Sequence, residues 1–596
     1  DEVVEQAVAK LRPMLPDRIE RINSHWLALK MLEGDDFALQ YADEATRKEV
    51  DRLVHCIADR AGEDPDMLIA DTRYSHAHAI AQQAQKEAGK LGKTLTDKID
   101  KIVLSPVLGI PIFLFVMYLM FLFAINFGGA FVDFFDGAAQ TIFVDGFGDL
   151  LTRIGTPDWL VVLLANGAGG GIQIVATFIP IIAGLYLFLS AVEDSGYMAR
   201  AAFVMDKSMR AIGLPGKAFV PLIVGFGCNV PAIMATRTLE NERERKLTML
   251  MNPFMSCGAR LPVYVLFAAA FFPHNGQNLV FGLYIIGILA AIGTGMLMKK
   301  TLLPGISTGF MMELPPYHIP KLKGILLRTW DRLKGFIKDA GKVIIVMVMV
   351  INTLSAINMQ GRFAHGDTEH SVLGVVSQTA TPLFAPMGIH QDNWPAVLGI
   401  FTGIMAKEVV VGTLDAIYTQ LAQDEAGITA EQEPFRFWQG IKNAIATVPE
   451  NLADVKDALL DPLGLGSANI TTQEAAARDS GVDKAVFGAM VKRFDGQIGA
   501  FAYLLFVLLY FPCVATIGAI SREAGLRWAL FTGFWTTSTA YVVSVLFYQI
   551  ASWSRHPASS AAWVAALLLY LGVLILALKK WGQKDTAGEI PVRIGA

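Results

Sequence analysis

The chain is poor in charge and in cysteine. Only 17% of its 596 residues are Asp, Glu, Lys or Arg, against 53% hydrophobic, a balance that excludes an ordinary soluble protein of this size. The four cysteines, Cys56, Cys228, Cys257 and Cys513, stand far apart with no C-x-x-C pair, which excludes a disulfide-stapled secreted domain. No H-E-x-x-H, G-x-S-x-G or Ser/His/Asp order stands out, so hydrolytic chemistry has no visible site. A phosphate-binding loop G-x-x-x-x-G-K-[ST] is also missing, because the nearest approach, Gly92-Lys93-Thr94, has Glu87 where the first glycine belongs. The net charge of -4 argues against a nucleic-acid partner. The chain opens at Asp1 with neither an initiator Met nor a signal-peptide pattern, which suggests a piece of a longer chain.

What is present are long apolar runs. A bilayer core needs roughly 20 apolar residues per helical span, and several stretches qualify, beginning with the uncharged Ile102–Phe127. Residues 1–95 differ: they are charged and carry helical periodicity at Ile19, Ile22, Trp26, Leu29 and Leu32, as expected of a small soluble helical domain with Cys56 in its core. Lys and Arg near span ends mark the cytoplasmic side. The basic segments are Lys207 to Lys217, Arg237 to Lys246, Lys299 to Lys342, Arg522 to Arg527 and the tail from Lys579. If every apolar stretch crossed, the most basic loop would fall outside. The conflict disappears if Phe219–Thr236 and Phe501–Ile520 enter and leave by the cytoplasmic face.

The expected fold is therefore an all-α polytopic membrane protein, multi-pass, with both termini in the cytoplasm. About eight transmembrane helices, near 102–127, 172–192, 247–272, 278–298, 339–358, 393–418, 528–550 and 561–578, accompany two re-entrant or broken helices. Both broken stretches carry helix breakers: Pro221, Gly225, Gly227 and Pro231 in one, Pro512 and Gly518 in the other. Irregular backbone at membrane depth is tolerated where it is buried or lines a cavity, and interrupted helices in corresponding places point to a transport site. The halves, 96–358 and 359–580, repeat two patterns in the same order. Gly196-Tyr-Met-Ala-Arg200 matches Gly403-Ile-Met-Ala-Lys407, and Cys228 to Arg237 matches Cys513 to Arg522 as C-x8-R. A polar insert at about 419–498, with Glu425, Glu431, Glu433, Glu450, Asp454 and Asp457, is expected to form amphipathic helices on the cytoplasmic side; residues 581–596 form a cytoplasmic tail.

Soft thiolates suit late or soft first-row metals. Cys228, Cys257 and Cys513 each lie in a Pro/Gly-interrupted stretch, which favours a thiol-lined path over small packing residues. Charged groups near spans form a second layer: Glu193, Asp194 and Asp206 as candidate ligands, Met198 as a thioether, and Arg260 and Lys407 as members of structural ion pairs. His274, His365, His370, His390 and His556 fall in expected outside loops.

Ser195-Gly-Tyr-Met-Ala-Arg-Ala-Ala-Phe203, Gly227-Cys-Asn-Val-Pro-Ala232, Ser256-Cys-Gly-Ala-Arg-Leu-Pro-Val-Tyr264 and Pro512-Cys-Val-Ala-Thr516 together resemble bacterial ferrous iron transport protein B (FeoB) over essentially the whole chain. The resemblance implies two gate regions, 193–272 and 393–550, related to those of nucleoside-transporter-like proteins, with the three cysteines lining the path of transported Fe2+ across the inner membrane. It also implies that residues 1–95 follow an N-terminal GTPase domain, outside this sequence, that would use GTP and Mg2+. Other partners it implies are membrane lipids and small cytosolic Feo accessory proteins, and it admits a homo-oligomer. Thiolate ligands must lose protons to bind metal, so uptake should weaken at acidic pH. An organic-solute carrier of the same gate architecture is the alternative.

Overall fold

The computed structural model describes residues 2–15, 18–19, 22–61, 63–84, 95–105, 107–272, 276–305, 314–359, 369–405, 407, 409–426, 436–458 and 484–588. Gly92-Lys93-Thr94, His274, His365, Glu431 and Glu433 lie outside them.

Residues 1–99 belong to one unit. Its helices Glu2–Leu11, Ser24–Leu32, Glu44–Ala61 and Pro65–Ala84 bury Val8, Leu11, Leu27, Met31, Leu53 and Ile57 together. Side-chain oxygens of Asn23 and Asp43 accept from the backbone N–H of Trp26 and Thr46 at 2.7 and 2.8 Å, satisfying first-turn donors that a helix leaves open. The periodic run read as helix from Ile19 begins instead in a two-stranded pair, Arg18–Ile19 with Ile22–Asn23. Cys56 is not a core residue; it faces solvent.

The second unit holds the apolar helices. Among the described residues seven are long and apolar enough to cross a membrane: Asp158–Asp194, Glu242–Phe271, Gly276–Lys300, Leu322–Ala356, Gly496–Ala524, Leu526–Ala551 and Pro557–Gly582. Gly109–Leu122, continued by a π-helical turn at Phe123–Phe127, supplies an eighth apolar helix, starting seven residues later than the expected 102 because Leu95–Val103 is a separate amphipathic helix.

Side-chain contacts sort the ends of these helices onto two faces. On the basic face, Arg237 pairs with Glu523 and Arg245 donates to the Glu523 carbonyl at 2.8 Å. On the opposite face, Gln497 donates to the Phe271 carbonyl at 2.8 Å, Ile389 bridges to Phe494, and Arg555 grips both oxygens of Asp495. Gly496–Ala524 thus begins on one face and ends on the other. It crosses.

That overturns the expected re-entry of Phe501–Ile520. The second re-entrant element is the stretch expected to cross at 393–418. Trp394–Met405 and Val409–Ala426 run back along one another: Tyr418 Oη donates to Asn393 Oδ1 at 2.5 Å, and Thr413 Oγ1 donates to Thr402 Oγ1 at 3.1 Å. A Cβ on Gly403 would clash with Val410, so glycine permits the close approach near the tip. Both stretches are apolar and broken, and composition alone cannot tell a broken crossing from a hairpin.

The first half contains the same pair of devices. Phe219–Gly227 and Asn229–Ala235 meet at Cys228, whose backbone is extended. The Pro221 carbonyl accepts from Asn252 at 3.4 Å and Ile233 clusters with Met249, so both arms lie beside one short stretch of the next helix and the element turns back. Each half therefore offers a hairpin followed by an interrupted crossing, with the halves entered from opposite faces, the arrangement of inverted-repeat transporters. The structural equivalents are the tips at Cys228 and Lys407 and the breaks at Cys257 and Cys513. This order of elements along the chain differs from the pairing of Cys228 with Cys513 read from C-x8-R.

The insert is also relocated. Phe437–Ala458 packs on Val132–Ala139, with Asn451 donating to Asp133 at 2.7 Å. The expectation placed 133–149 outside and the insert inside; both now share a face, because the hairpin returns the chain to the side from which it entered.

Candidate functional site

Both crossings are interrupted where proline removes a backbone donor. In the first, the helix Glu242–Met251 passes through Asn252-Pro253-Phe254 into extended backbone at Met255 and Cys257 before restarting at Leu261. In the second, Gly496–Leu509 stops and Val514–Ala524 restarts after Tyr510-Phe511-Pro512-Cys513. Such ends leave carbonyls unpaired and carry partial negative charge.

One buried cation serves each break. Arg260, 0% exposed, donates to the carbonyls of Pro253 and Met255 at 3.1 and 3.2 Å. Lys407, 3% exposed, reaches from the second hairpin tip, donates to the Phe511 carbonyl at 2.8 Å and lies 3.1 Å from the centre of the Tyr510 ring. Neither makes the ion pair expected of it among the described residues.

The cysteines sit at the same places. Cys257 is within the first break and Cys513 opens the restarted helix of the second, its Sγ 3.1 Å from Thr516 Oγ1. Lys407 lies within electrostatic range of both thiols and of Arg260. Cys228 occupies the first tip, within electrostatic range of Tyr186, and its neighbour Gly227 lies near Gly258: a Cβ on Gly258 would be 3.8 Å from the Gly227 carbonyl oxygen. Each of the three is neither fully buried nor fully exposed. Asn229, with its amide oriented to donate to the Gly225 and Asn252 carbonyls at 3.2 and 3.1 Å, ties tip to crossing. Toward the basic face a cavity of about 230 Å³ opens among Met234, Phe336, Ala515, Gly518 and Glu523.

The acidic candidates are held elsewhere. Glu193 and Asp194 pair with Arg332 and Arg328, joining Asp158–Asp194 to Leu322–Ala356. Asp206 accepts from Arg210 and from the Gly216 N–H at 2.7 Å each, fixing the turn after the helix Tyr197–Ile212, on which Met198 is half-buried. Among the described residues no three His, Cys, Asp or Glu groups gather into a metal cage. Arg200, named only as a span-end charge, is fully buried and grips both Asp100 oxygens at 3.0 Å. The residue that sequence reasoning underrated is Lys407; a lysine alone inside an apolar run was the available signal.

Comparison with known proteins agrees with this architecture. A nucleoside-recognition gate profile matches residues 175–271 and 337–527, the two hairpin-and-crossing regions. A profile of the FeoB cytosolic helical domain matches 1–86, and one of the ferrous iron transport protein B C terminus matches 280–332. The Fe(2+) transporter FeoB of Legionella pneumophila is 50% identical over 519 residues, 87% of this chain and 67% of the relative. That of Escherichia coli (strain K12) is 44% identical over 573 residues, 96% of this chain and 72% of the relative. The chain belongs to the FeoB family. The FeoB protein of Salmonella paratyphi A is similar at 44% identity, with 93% of this chain and 70% of the relative covered. No solved structure matches the chain.

Proposed function

We propose that this FeoB-family chain carries Fe2+ across the bacterial inner membrane along a path through the two interrupted crossings, with Cys228, Cys257 and Cys513 as successive thiolate ligands. The observation that carries this is the coincidence of each of the three thiols with a break or a hairpin tip at membrane depth. There, the C-terminal end of each interrupted helix favours a cation, the helix N-terminus that Cys513 opens favours its thiolate, and thiolate adds preference for a softer metal than Mg2+ or Ca2+. Because no three such ligands gather among the described residues, the ion is handed on, each thiol acting with backbone oxygens. Glu193, Asp194 and Asp206 keep their ion pairs and stay off the path.

Positive-inside orientation puts the basic face, with the 230 Å³ cavity, in the cytoplasm as the exit, and the 437–458 insert outside. GTP hydrolysis with Mg2+ would come from a GTPase domain beyond these residues, acting through the helical unit 1–99, with small cytosolic accessory proteins as further partners.

The test is alkylation of the three cysteines in the membrane under anaerobic reducing conditions. Fe2+ should slow modification of all three, and Mg2+ should not; Fe2+ that protects none would overturn the path. The gate profile's nucleoside description favours a second reading, an organic-solute carrier. That reading predicts protection by a nucleoside and indifference to Fe2+.

A further inference from the structure

We propose that Lys407 is a tethered cation that fills the seat of the transported divalent ion at the second break and must withdraw for an ion to pass. This rests on the Fe2+ path just described.

The seat is defined by what holds the ammonium. The Phe511 carbonyl oxygen is 2.8 Å away and the face of Tyr510 is 3.1 Å from Nζ, an oxygen and a π-face at the C-terminal end of a half-helix. Each of these attracts any cation. Burying an ammonium with no carboxylate beside it is costly, and among the described residues none pairs with Lys407. Arg260 adds to that cost, and what offsets it is the Phe511 carbonyl, the Tyr510 face and the Cys513 and Cys257 thiols when they ionise.

The repeat sharpens the argument. The position equivalent to the Lys407 tip is the Cys228 tip, so one half presents a ligand to its break and the other presents a substitute for the ligand's cargo. Arg260 is the opposite case. It belongs to the crossing itself and spreads over two carbonyls, Pro253 and Met255, whereas Lys407 reaches across from another element by a flexible stem with a single carbonyl contact. A lysine stem can swing away without unfolding either helix. With Cys513 and Cys257 in electrostatic range, a divalent ion bound by these thiols would repel the ammonium strongly in so dry a place.

Two experiments on the chain in liposomes decide the matter. In the first, surface lysines and Lys407 are acylated by a small amine reagent, and modification of Lys407 is followed by mass spectrometry with Fe2+ or Mg2+ present. Fe2+, but not Mg2+, should speed modification of Lys407 several-fold. In the second, Lys407→Met removes the charge and keeps the length, and Fe2+ half-saturation for cysteine protection should fall by about ten-fold or more. Unchanged labelling of Lys407 while Fe2+ protects the cysteines overturns this proposal alone, as does unchanged or weaker Fe2+ binding in a folded Lys407→Met protein. If that variant does not fold, the labelling of the unmodified chain decides by itself. Absence of any cysteine protection by Fe2+ overturns the path and this proposal with it.

Discussion

The two interrupted crossings solve one problem in two ways. Each exposes carbonyls at membrane depth, and each answers with a buried cation. The first uses Arg260 from within its own chain segment, bound at two carbonyls 3.1 and 3.2 Å away. The second borrows Lys407 from the neighbouring hairpin for one carbonyl at 2.8 Å. A guanidinium in a fixed fork is suited to a permanent brace, and an ammonium on a four-carbon stem to a movable one. The first break is a rigid station and the second a station that can open, although both descend from the same hairpin-and-crossing plan.

The comparison is broken most directly at Arg260. Arg260→Leu leaves two buried carbonyls without donors, and at about 1–3 kcal/mol for each such group the membrane unit should lose about 2–6 kcal/mol, read as a fall in thermal midpoint. Lys407→Met should cost far less stability, because removing a buried ammonium offsets the single lost hydrogen bond; equal losses would erase the contrast between brace and movable cation. Next comes the packing of the tips. A Cβ on Gly403 would clash with Tyr510 Oη and Val410, whereas one on Gly227 would meet Phe121 at 3.0 Å. Gly403→Ala should cost about 1–3 kcal/mol by overpacking and disturb the Lys407 seat, with Gly227→Ala milder; the same thermal measurement ranks them.

Smaller still is the peripheral charge. Glu193→Gln breaks a partly exposed pair with Arg332, worth about 0–1 kcal/mol, and should leave Fe2+ protection of the cysteines unchanged. At the opposite face, partial burial works against the Asp495 carboxylate, but hydrogen bonds from Tyr548 and Arg555 and the Arg555 charge outweigh it, holding its pKa below the ordinary 3.8. Its contribution to stability is complete above the unfolded-state value and is lost as pH falls through the lower folded value. Asp495→Asn should remove that part of the acid sensitivity in a pH series of melting curves.

Much of this plan was legible in the residues. Hydropathy located the spans, and proline and glycine located both breaks, because a missing N–H or Cβ has the same consequence wherever it falls. The distribution of Lys and Arg gave an expected eight crossings with two re-entrant elements, and among the described residues seven helices are long and apolar enough to cross. What could not be read was which apolar, broken stretch of the second half turns back. Gly403-Ile-Met-Ala-Lys407 and Pro512-Cys513 look equally interrupted in one dimension, and only contacts such as Tyr418 with Asn393 separate a hairpin from a crossing. That single exchange moved the insert to the other face and set the order of elements apart from the pairing of Cys228 with Cys513. At the site, the thiols were found by type and context. Glu193, Asp194 and Asp206 were over-read, because a carboxylate at a span end looks the same whether it waits for a metal or already holds Arg328, Arg332 or Arg210.

The central claim is that the thiols at the breaks and the tip form the route of the ion. It is tested by Fe2+ influx, under anaerobic reducing conditions, into proteoliposomes holding the chain or its Cys228→Ser, Cys257→Ser, Cys513→Ser triple variant, with any GTPase domain the flux requires supplied equally to both. The account predicts influx through the unmodified chain and its loss in a folded triple variant; equal influx in the two would contradict it.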